Sequence, residues 1–315
     1  MTKASLRNYL YILYVFVLTT LVFILYMYLS ENDRFSPFVS TFDPAAQKPF
    51  VYRVLPSLII NAFSLLTGAA PTFSAILFMY FSLLSFFFTY ASLVKLILPK
   101  VSPFLSMLFP AVGLIPFLIK SRHVYDFPIL FLFTLAYYFL ERKEFGKYLI
   151  IFLLASLTKE TAIFLVLFFA LHFRDLGRKQ FFKIIISQVL IFGIIRGILM
   201  FVFRENPGGD VQFHFSDQVN SLYSHPAAAV LLLACIASIF LVGMTTRGSF
   251  SRFIKDAFLA VGIPIAILYL LFGVPFEIRV FLEVFPVISI LFTLKIIDLI
   301  VKIKSKTKRI LDLDE

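Results

Sequence analysis

The chain has 315 residues, of which 60% are hydrophobic and 15% are charged, and its mean hydropathy is +0.94. This composition is typical of a polytopic membrane protein and excludes an ordinary soluble globule. The formal net charge of +11 is first explained by basic residues retained on the cytoplasmic side, so nucleic acid is not an expected partner. We therefore predict an all-α, multi-pass protein of the plasma (inner) membrane, surrounded by membrane lipid, with one transmembrane domain over residues 1–315.

The apolar stretch from about residue 8 to Ser30 has no small-residue cleavage pattern and is too long for a signal-peptide core, so we interpret it as a retained first span. Apolar runs bounded by charge or by Pro and Gly predict ten spans: 8–30, 71–94, 104–119, 127–140, 148–157, 162–173, 182–203, 227–245, 257–273 and about 281–300. Several are shorter than the roughly 20 residues that a straight helix needs to cross a bilayer. They predict helices buried among others, or a locally thin bilayer.

Lys159 and Glu160 interrupt the apolar run from Tyr148 to Phe173. This run is either one helix with two ions near the middle of the membrane or two short helices joined by a polar turn. The hairpin leaves most Lys and Arg residues on the cytoplasmic side, together with the N-terminus. The single helix, with 51–67 as an additional span, would move five basic residues outside: Lys95, Lys100, Arg142, Lys143 and Lys147. The positive-inside rule therefore favours ten spans with both termini cytoplasmic.

The predicted outer segments are a first loop, 31–70, and a second loop, 204–226, whereas 302–315 form a cytoplasmic tail. Within the first loop, small polar residues recur at helical spacing over 51–67, opposite an apolar side: Ser57, Asn61 and Ser64. Pro56 is suited to the first turn of such a helix. The pattern predicts a helix that lies in the outer interface or packs onto the other helices of the chain, and both alternatives stay open.

This topology collects many polar residues on the outer face. The candidate site residues are Asp33, Asp43, Tyr52, Arg53, Arg122, Tyr125, Asp126, Lys159, Glu160, Glu277, Arg279 and Glu283. Cations suit a lipid-linked phosphate, and a carboxylate can take a proton from an attacking hydroxyl group. The structural alternatives are a simple surface turn at the hairpin, ordinary acids in the first loop, and a salt bridge between Arg279 and Glu283 at helical i,i+4 spacing.

Two further features leave alternatives open. Arg196 interrupts the predicted span 182–203, where it would reach the interface, pair with an acid or face a cavity. The pairs His123-x-x-Asp126 and His214-x-x-Asp217 could bind a divalent cation, but such short spacings are common. We assign no metal ligand and leave the cofactor open.

Three short motifs carry a resemblance that spans about residues 1–290: Pro49-Phe50-Val51-Tyr52-Arg53-Val54-Leu55-Pro56, Lys159-Glu160-Thr161 and Glu277-Ile278-Arg279. The chain resembles the polytopic glycosyltransferases of the GT-C superfamily, and more narrowly uncharacterised bacterial membrane proteins with these segments. The resemblance implies that an acid of the first outer loop, Asp33 or Asp43, is the catalytic base or a metal ligand. It also implies that Arg53, Lys159 and Arg279 hold the lipid phosphate. The chain departs from the family pattern in having no Asp-Asp or Asp-x-Asp pair in that loop and no large soluble C-terminal domain.

We therefore expect a membrane glycosyltransferase that moves a sugar from a polyprenyl-phosphate donor to an extracytoplasmic acceptor, with Tyr52 and Tyr125 stacked on the sugar. The main rival is a transporter or flippase of a lipid-linked glycan or other solute, which predicts charges in both halves of the bilayer and a repeat. A polysaccharide polymerase and a non-catalytic membrane subunit are further alternatives. The sequence leaves open the sugar, the acceptor, any divalent cation and the oligomeric state.

Overall fold

A computed structural model of the chain describes residues 3–32, 46–209, 213–227, 230, 237 and 252–311. The described chain is almost entirely helical, which confirms the all-α prediction. Four helices are long and apolar enough to cross a membrane: Ser5–Leu29, Pro71–Ile97, Arg178–Val202 and Arg252–Phe272. Shorter apolar helices accompany them, as the short predicted spans required. The predicted span 227–245 lies almost entirely outside the described residues, and so do Asp33 and Asp43.

The helices are α1 (Lys3–Leu29), α2 (Val54–Thr67), α3 (Pro71–Ile97), α4 (Pro103–Leu114), α5 (Asp126–Glu141), α6 (Phe145–Thr158), α7 (Phe164–His172), α8 (Arg178–Val202), α9 (Phe215–Ser224), α10 (Arg252–Ala257), α11 (Ile263–Phe272) and α12 (Phe285–Leu311). A π-helical turn, Phe258–Gly262, joins α10 to α11. Single 3₁₀ turns lie at Phe50–Tyr52, Ile115–Leu118, Glu160–Ile163 and Ile278–Phe281. Two strands of three residues, β1 (Ser30–Asn32) and β2 (Lys120–Arg122), pair in parallel after α1 and before α5.

Helices α6 and α7 form an antiparallel hairpin. The Phe145 ring at the start of α6 packs on Phe169 and Phe173 near the end of α7, at centroid distances of 5.7 Å and 5.3 Å. Lys159 has an extended backbone (φ −158°, ψ 145°), where the helix stops and the chain reverses. This geometry excludes one continuous helix over Tyr148–Phe173.

Helix α8 lies beside the hairpin and runs in the same direction as α6. Near the start of α6, the Tyr148 hydroxyl donates to Gln188 Oε1 over 2.7 Å. Near the end of α6, Arg196 Nη2 donates to the Ser156 carbonyl over 3.0 Å. Because the two contacts are separated by eight residues on each helix, α8 carries Arg196 to the same level as the hairpin turn.

Helix α2 confirms the helix expected within the first loop. Its Ser57 is buried, and Ser64 Oγ lies 2.8 Å from Ser74 Oγ of α3, so the serine-bearing side packs onto the protein. On the other side, Leu65 and Leu66 are 85% and 87% exposed. Packing onto the other helices is therefore confirmed for the serine-bearing side, whereas a position in the outer interface, which the outward apolar side would suit, stays a prediction.

The segment between α11 and α12 enters the helical bundle. The Tyr137 hydroxyl, near the end of α5, donates to the Glu283 carbonyl over 3.4 Å. The Phe285 ring lies 6.3 Å from the ring of Phe86, midway along α3. Helix α12 therefore begins deep between its neighbours, and its start at Phe285 corrects the predicted start near 281, because Ile278–Phe281 form a 3₁₀ turn.

The largest fully buried side chains of the core are mostly aromatic, in keeping with the 42 Phe residues of the chain. Tyr137 packs edge-on against Phe168 and Phe253, which joins α5, α7 and α10. Such ring pairs contribute about 0.5–1.5 kcal/mol each beyond the area that they bury. In lipid, where apolar burial alone does not favour helix association, this close packing is a main source of cohesion.

Candidate functional site

A cavity of about 590 Å³ lies where α5 begins, the α6–α7 hairpin turns and α11 ends. Seven of the predicted site residues line it: Tyr52, Arg53, Tyr125, Lys159, Glu160, Glu277 and Arg279. Asp126 and Glu283 are buried behind this lining and are bonded to it. Residues that are distant in sequence therefore meet at one site, as the sequence analysis expected.

Arg53 and Glu160 form the most open ion pair of the cavity. Arg53 Nη2 lies 2.7 Å from Glu160 Oε1, and its Nε donates to Oε2 over 3.4 Å. The guanidinium also lies 4.4 Å from the centre of the Tyr125 ring, a cation–π contact. Burial alone would raise the pKa of Glu160, but the charge and hydrogen bonds of Arg53 outweigh it and lower this pKa to about 2. Glu160 is therefore ionised at neutral pH and is a weak base.

Lys159 and Glu283 form a buried ion pair that fastens the hairpin turn to the segment before α12. Lys159 Nζ lies 2.6 Å from Glu283 Oε1, and the two side chains are 8% and 0% exposed. Thr161 donates to the same oxygen over 2.7 Å. Lys159 therefore does not belong to a simple surface turn, because an ion buried to this extent requires a partner.

Arg279 connects the same segment to the start of α5. Its Nη1 lies 3.0 Å from Asp126 Oδ1, and its Nη2 donates to Glu277. Burial alone would raise the pKa of Asp126, but Arg279 and further hydrogen bonds, one of them from Tyr26, hold it below its usual value. The structural alternative of an i,i+4 salt bridge between Arg279 and Glu283 is wrong, because the chain there forms a 3₁₀ turn and Glu283 pairs with Lys159.

Arg122 is the predicted binding residue that lies away from the cavity lining. Its Nη1 contacts the carbonyl oxygen of Met27 over 3.4 Å and the sulfur of the same residue over 3.1 Å. Its position follows from the short parallel pairing of β2 with β1, which directly follows α1. The contact at Met27 places this guanidinium beside α1 instead of among the cavity cations.

The two histidine pairs have structural contacts. His123 donates its backbone N–H to Asp126 Oδ2 over 3.0 Å, and its buried ring stacks on Phe50 at 6.2 Å. His214 Nδ1 lies 2.9 Å from Asp217 Oδ2, and His214 also lines the cavity. Among the described residues, no group of three or more His, Cys, Asp or Glu side chains is placed to hold a metal ion.

Several cavity residues were not among the predicted site residues. Arg196 is a fourth cation of the lining, which decides between the three alternatives for it in favour of the cavity. Another part of the lining is apolar and comes from α8, α11 and the segment between α11 and α12: Met200, Ile265, Leu268, Phe272, Val274 and Val280. Gln47 also lines the cavity, so the first loop reaches the site near residue 46, where the described part of the loop begins. An arginine within an apolar span was the available sequence signal for Arg196.

The arrangement combines four cationic side chains with an apolar wall in one cavity. It is suited to a ligand that carries both a negative group and a hydrocarbon part, since the cations can bind the negative group and the apolar residues can contact the hydrocarbon. No protein-family model matches the chain, and no curated protein or solved structure matches it either. Function is therefore inferred from this geometry.

Proposed function

We propose that the protein is a membrane glycosyltransferase that moves a sugar from a polyprenyl-phosphate donor to an acceptor outside the cytoplasm. The observation that carries the proposal is the mixed lining of the cavity, which combines Arg53, Lys159, Arg196 and Arg279 with aliphatic residues of α11. Its volume of about 590 Å³ lies within the usual range for small-ligand sites, roughly 300–1,000 Å³. A phosphate-linked sugar with a hydrocarbon tail has the matching chemistry.

The proposed reaction is a displacement at the anomeric carbon. The acceptor hydroxyl oxygen forms a bond to that carbon, the bond to the phosphate oxygen breaks, and the phosphate leaves with the electron pair. Arg53, Lys159 and Arg279 provide positive charge near the leaving group, where charge increases in the transition state.

The proton of the acceptor goes to a carboxylate. Glu160 is poorly suited to this role, because Arg53 lowers its pKa to about 2. We assign the base to Asp33 or Asp43, which precede the cavity-lining Gln47 in the first loop. Tyr52 lines the cavity and is proposed to contact the sugar.

The proposal includes a topology of ten spans with both termini cytoplasmic and the cavity on the outer side of the plasma membrane. Two observations support it. The hairpin at Lys159 is the geometry that the positive-inside rule required, and Arg142 and Lys147 lie at the end of the bundle away from the cavity. Segments such as α2 and α7 are too short to cross a bilayer alone, so the cavity is proposed to reach into the outer leaflet.

A transporter or flippase of a lipid-linked glycan is the second candidate. It predicted charges in both halves of the bilayer, and a polar cluster does lie at the opposite end of the bundle. There, His172 Nδ1 lies 2.8 Å from Asp256 Oδ2, and Arg252 Nη1 lies 2.6 Å from Asp175 Oδ2. A carrier would move the intact lipid-linked sugar without breaking a bond, so the products distinguish the two functions.

The proposed function is tested with protein reconstituted in vesicles that contain a polyprenyl-phosphate-linked sugar with a radiolabel. We expect labelled sugar on a water-soluble acceptor and free polyprenyl phosphate in the lipid fraction. One of the two variants Asp33→Asn and Asp43→Asn should abolish both products. The control Glu205→Gln, at an exposed outer acid paired with Arg204, should form both. Normal transfer by both aspartate variants would refute the base assignment. Movement of intact donor between leaflets without cleavage would favour the carrier.

A further inference from the structure

Arg196 differs from the other cations of the cavity in its partners. Arg53 is paired with Glu160, and Lys159 is paired with Glu283. The third, Arg279, has two carboxylate partners, Asp126 and Glu277. Each of these cations already has a carboxylate partner, and releasing it to bind another anion directly would leave that carboxylate unpaired, which is costly for the buried ones.

Arg196 has no described carboxylate as an ion-pair partner. Its guanidinium donates through Nη2 to the Ser156 carbonyl over 3.0 Å, and its Nε has no hydrogen-bond partner among the described residues. The Phe192 ring lies 5.3 Å from its carbon Cζ and supports the side chain from one turn earlier in α8. An arginine has five N–H donors in a planar fork, and the described hydrogen bond of Arg196 uses one of them.

Arg196 adjoins both charged and apolar residues of the cavity lining, so it marks a boundary between them. Met200, one turn later in α8, belongs to the apolar part of the lining, whereas Glu160 and Arg53 lie on the polar side. A phosphate at this boundary would meet Arg196 while the hydrocarbon part of the same molecule extends along the apolar side. A guanidinium binds a phosphate through two parallel hydrogen bonds, which fixes the orientation of the phosphate as well as its position.

We propose that Arg196 is the residue that binds the phosphate group of the ligand directly, while the paired cations Arg53, Lys159 and Arg279 shape the cavity and its field. The proposal rests on the proposed function for the identity of the ligand, a lipid-linked phosphate. It assigns the direct phosphate contact to a residue that the sequence motifs did not include.

The test compares binding of polyprenyl monophosphate, polyprenol and inorganic phosphate to purified protein in lipid nanodiscs. We expect Arg196→Gln to weaken binding of the monophosphate about 10- to 100-fold, the loss of one or two charge-assisted hydrogen bonds, with no change for polyprenol. The matched control is Arg204→Gln, because Arg204 lies just after the same helix, contacts Phe201 at 5.2 Å and is paired with Glu205. This control should bind all three probes as the wild type does.

Each outcome separates the inference from the proposed function. Unchanged monophosphate affinity in Arg196→Gln, when the wild type prefers the monophosphate to polyprenol, would overturn the role of Arg196 alone. A wild type that does not prefer the monophosphate would overturn both. Inorganic phosphate that binds as tightly as the lipid, with the same dependence on Arg196, would support the phosphate contact and refute the lipid donor.

A second measurement needs no variant and therefore does not depend on the folding of Arg196→Gln. Phenylglyoxal modifies accessible arginines, and the modified positions can be read by mass spectrometry. We expect polyprenyl monophosphate, but not polyprenol, to protect Arg196 while Arg204 is modified equally in both samples. Equal modification of Arg196 with and without the monophosphate would contradict the proposal.

Discussion

Replacing Lys159 by methionine should destabilise the protein by about 3–5 kcal/mol, the usual cost of removing one partner from a buried ion pair. The reason is the position of Glu283, which is 0% exposed and lies 2.6 Å from Lys159 Nζ. In Lys159→Met the Glu283 carboxylate would still accept the hydrogen bond from the Thr161 hydroxyl but would lose the positive charge of the lysine. Replacing both residues, with Glu283→Gln added, should recover much of the loss because no buried charge remains.

The free energy of unfolding can be measured by denaturant titration in mixed micelles for the wild type, both single variants and the double variant. The matched control is Lys147→Met, because Lys147 also pairs with a glutamate, Glu144, over 2.7 Å but is 65% exposed. This exposed pair should contribute no more than about 1 kcal/mol. Additive losses at Lys159 and Glu283, or equal losses at Lys159 and Lys147, would refute the reasoning.

Three further predictions follow from the described contacts. The pKa of Glu160 is lowered from an ordinary 4.5 to about 2. Its pairing with Arg53 therefore stabilises the fold fully above about pH 4.5, and this stabilisation is lost as pH falls through 2. The free energies of unfolding of the wild type and of Glu160→Gln should therefore differ by a constant amount from about pH 5 to 8. Tyr26→Phe should cost about 1–3 kcal/mol by the same titration, since it removes the 2.8 Å hydrogen bond to Asp126. In a Cys235→Ala background, a membrane-impermeant thiol reagent should label Glu205→Cys, at a side chain that is 86% exposed, from outside but not Lys143→Cys or Lys306→Cys; labelling of Lys143→Cys from outside would mean that the middle of the chain is inverted.

The sequence predicted the membrane class and the meeting of distant polar residues for one physical reason. An ion in an apolar run is costly unless another group compensates it, so Lys159, Glu160 and Arg279 each implied a partner elsewhere. The structure supplies those partners within one cavity. The choice of the hairpin over a single helix had a similar basis, because the alternative placed five basic residues on the outer side.

The identity of each partner could not be predicted from the sequence. Arg279 and Glu283 have the spacing of a helical salt bridge, yet each pairs with a residue more than 100 positions away, Asp126 and Lys159. Local spacing decides such a pair only inside an α-helix, and the 3₁₀ turn Ile278–Phe281 removes that condition. Arg122 shows the same limit, since the pairing of β2 with β1, just after α1, brings it to Met27.

The interrupted helices and the charged cavity require each other. A continuous helix from Tyr148 to Phe173 would hold Lys159 and Glu160 in its interior without room for Arg53 or the segment before α12. Because the helix stops at Thr158, the backbone turns the two side chains toward different partners, Lys159 toward Glu283 and Glu160 toward Arg53. The same two ion pairs join segments that line the cavity. The groups that compensate the charges at the interrupted helix therefore also define the space for a ligand. Arg196 then remains the lining cation without a described carboxylate partner, which is why the phosphate contact is assigned to it.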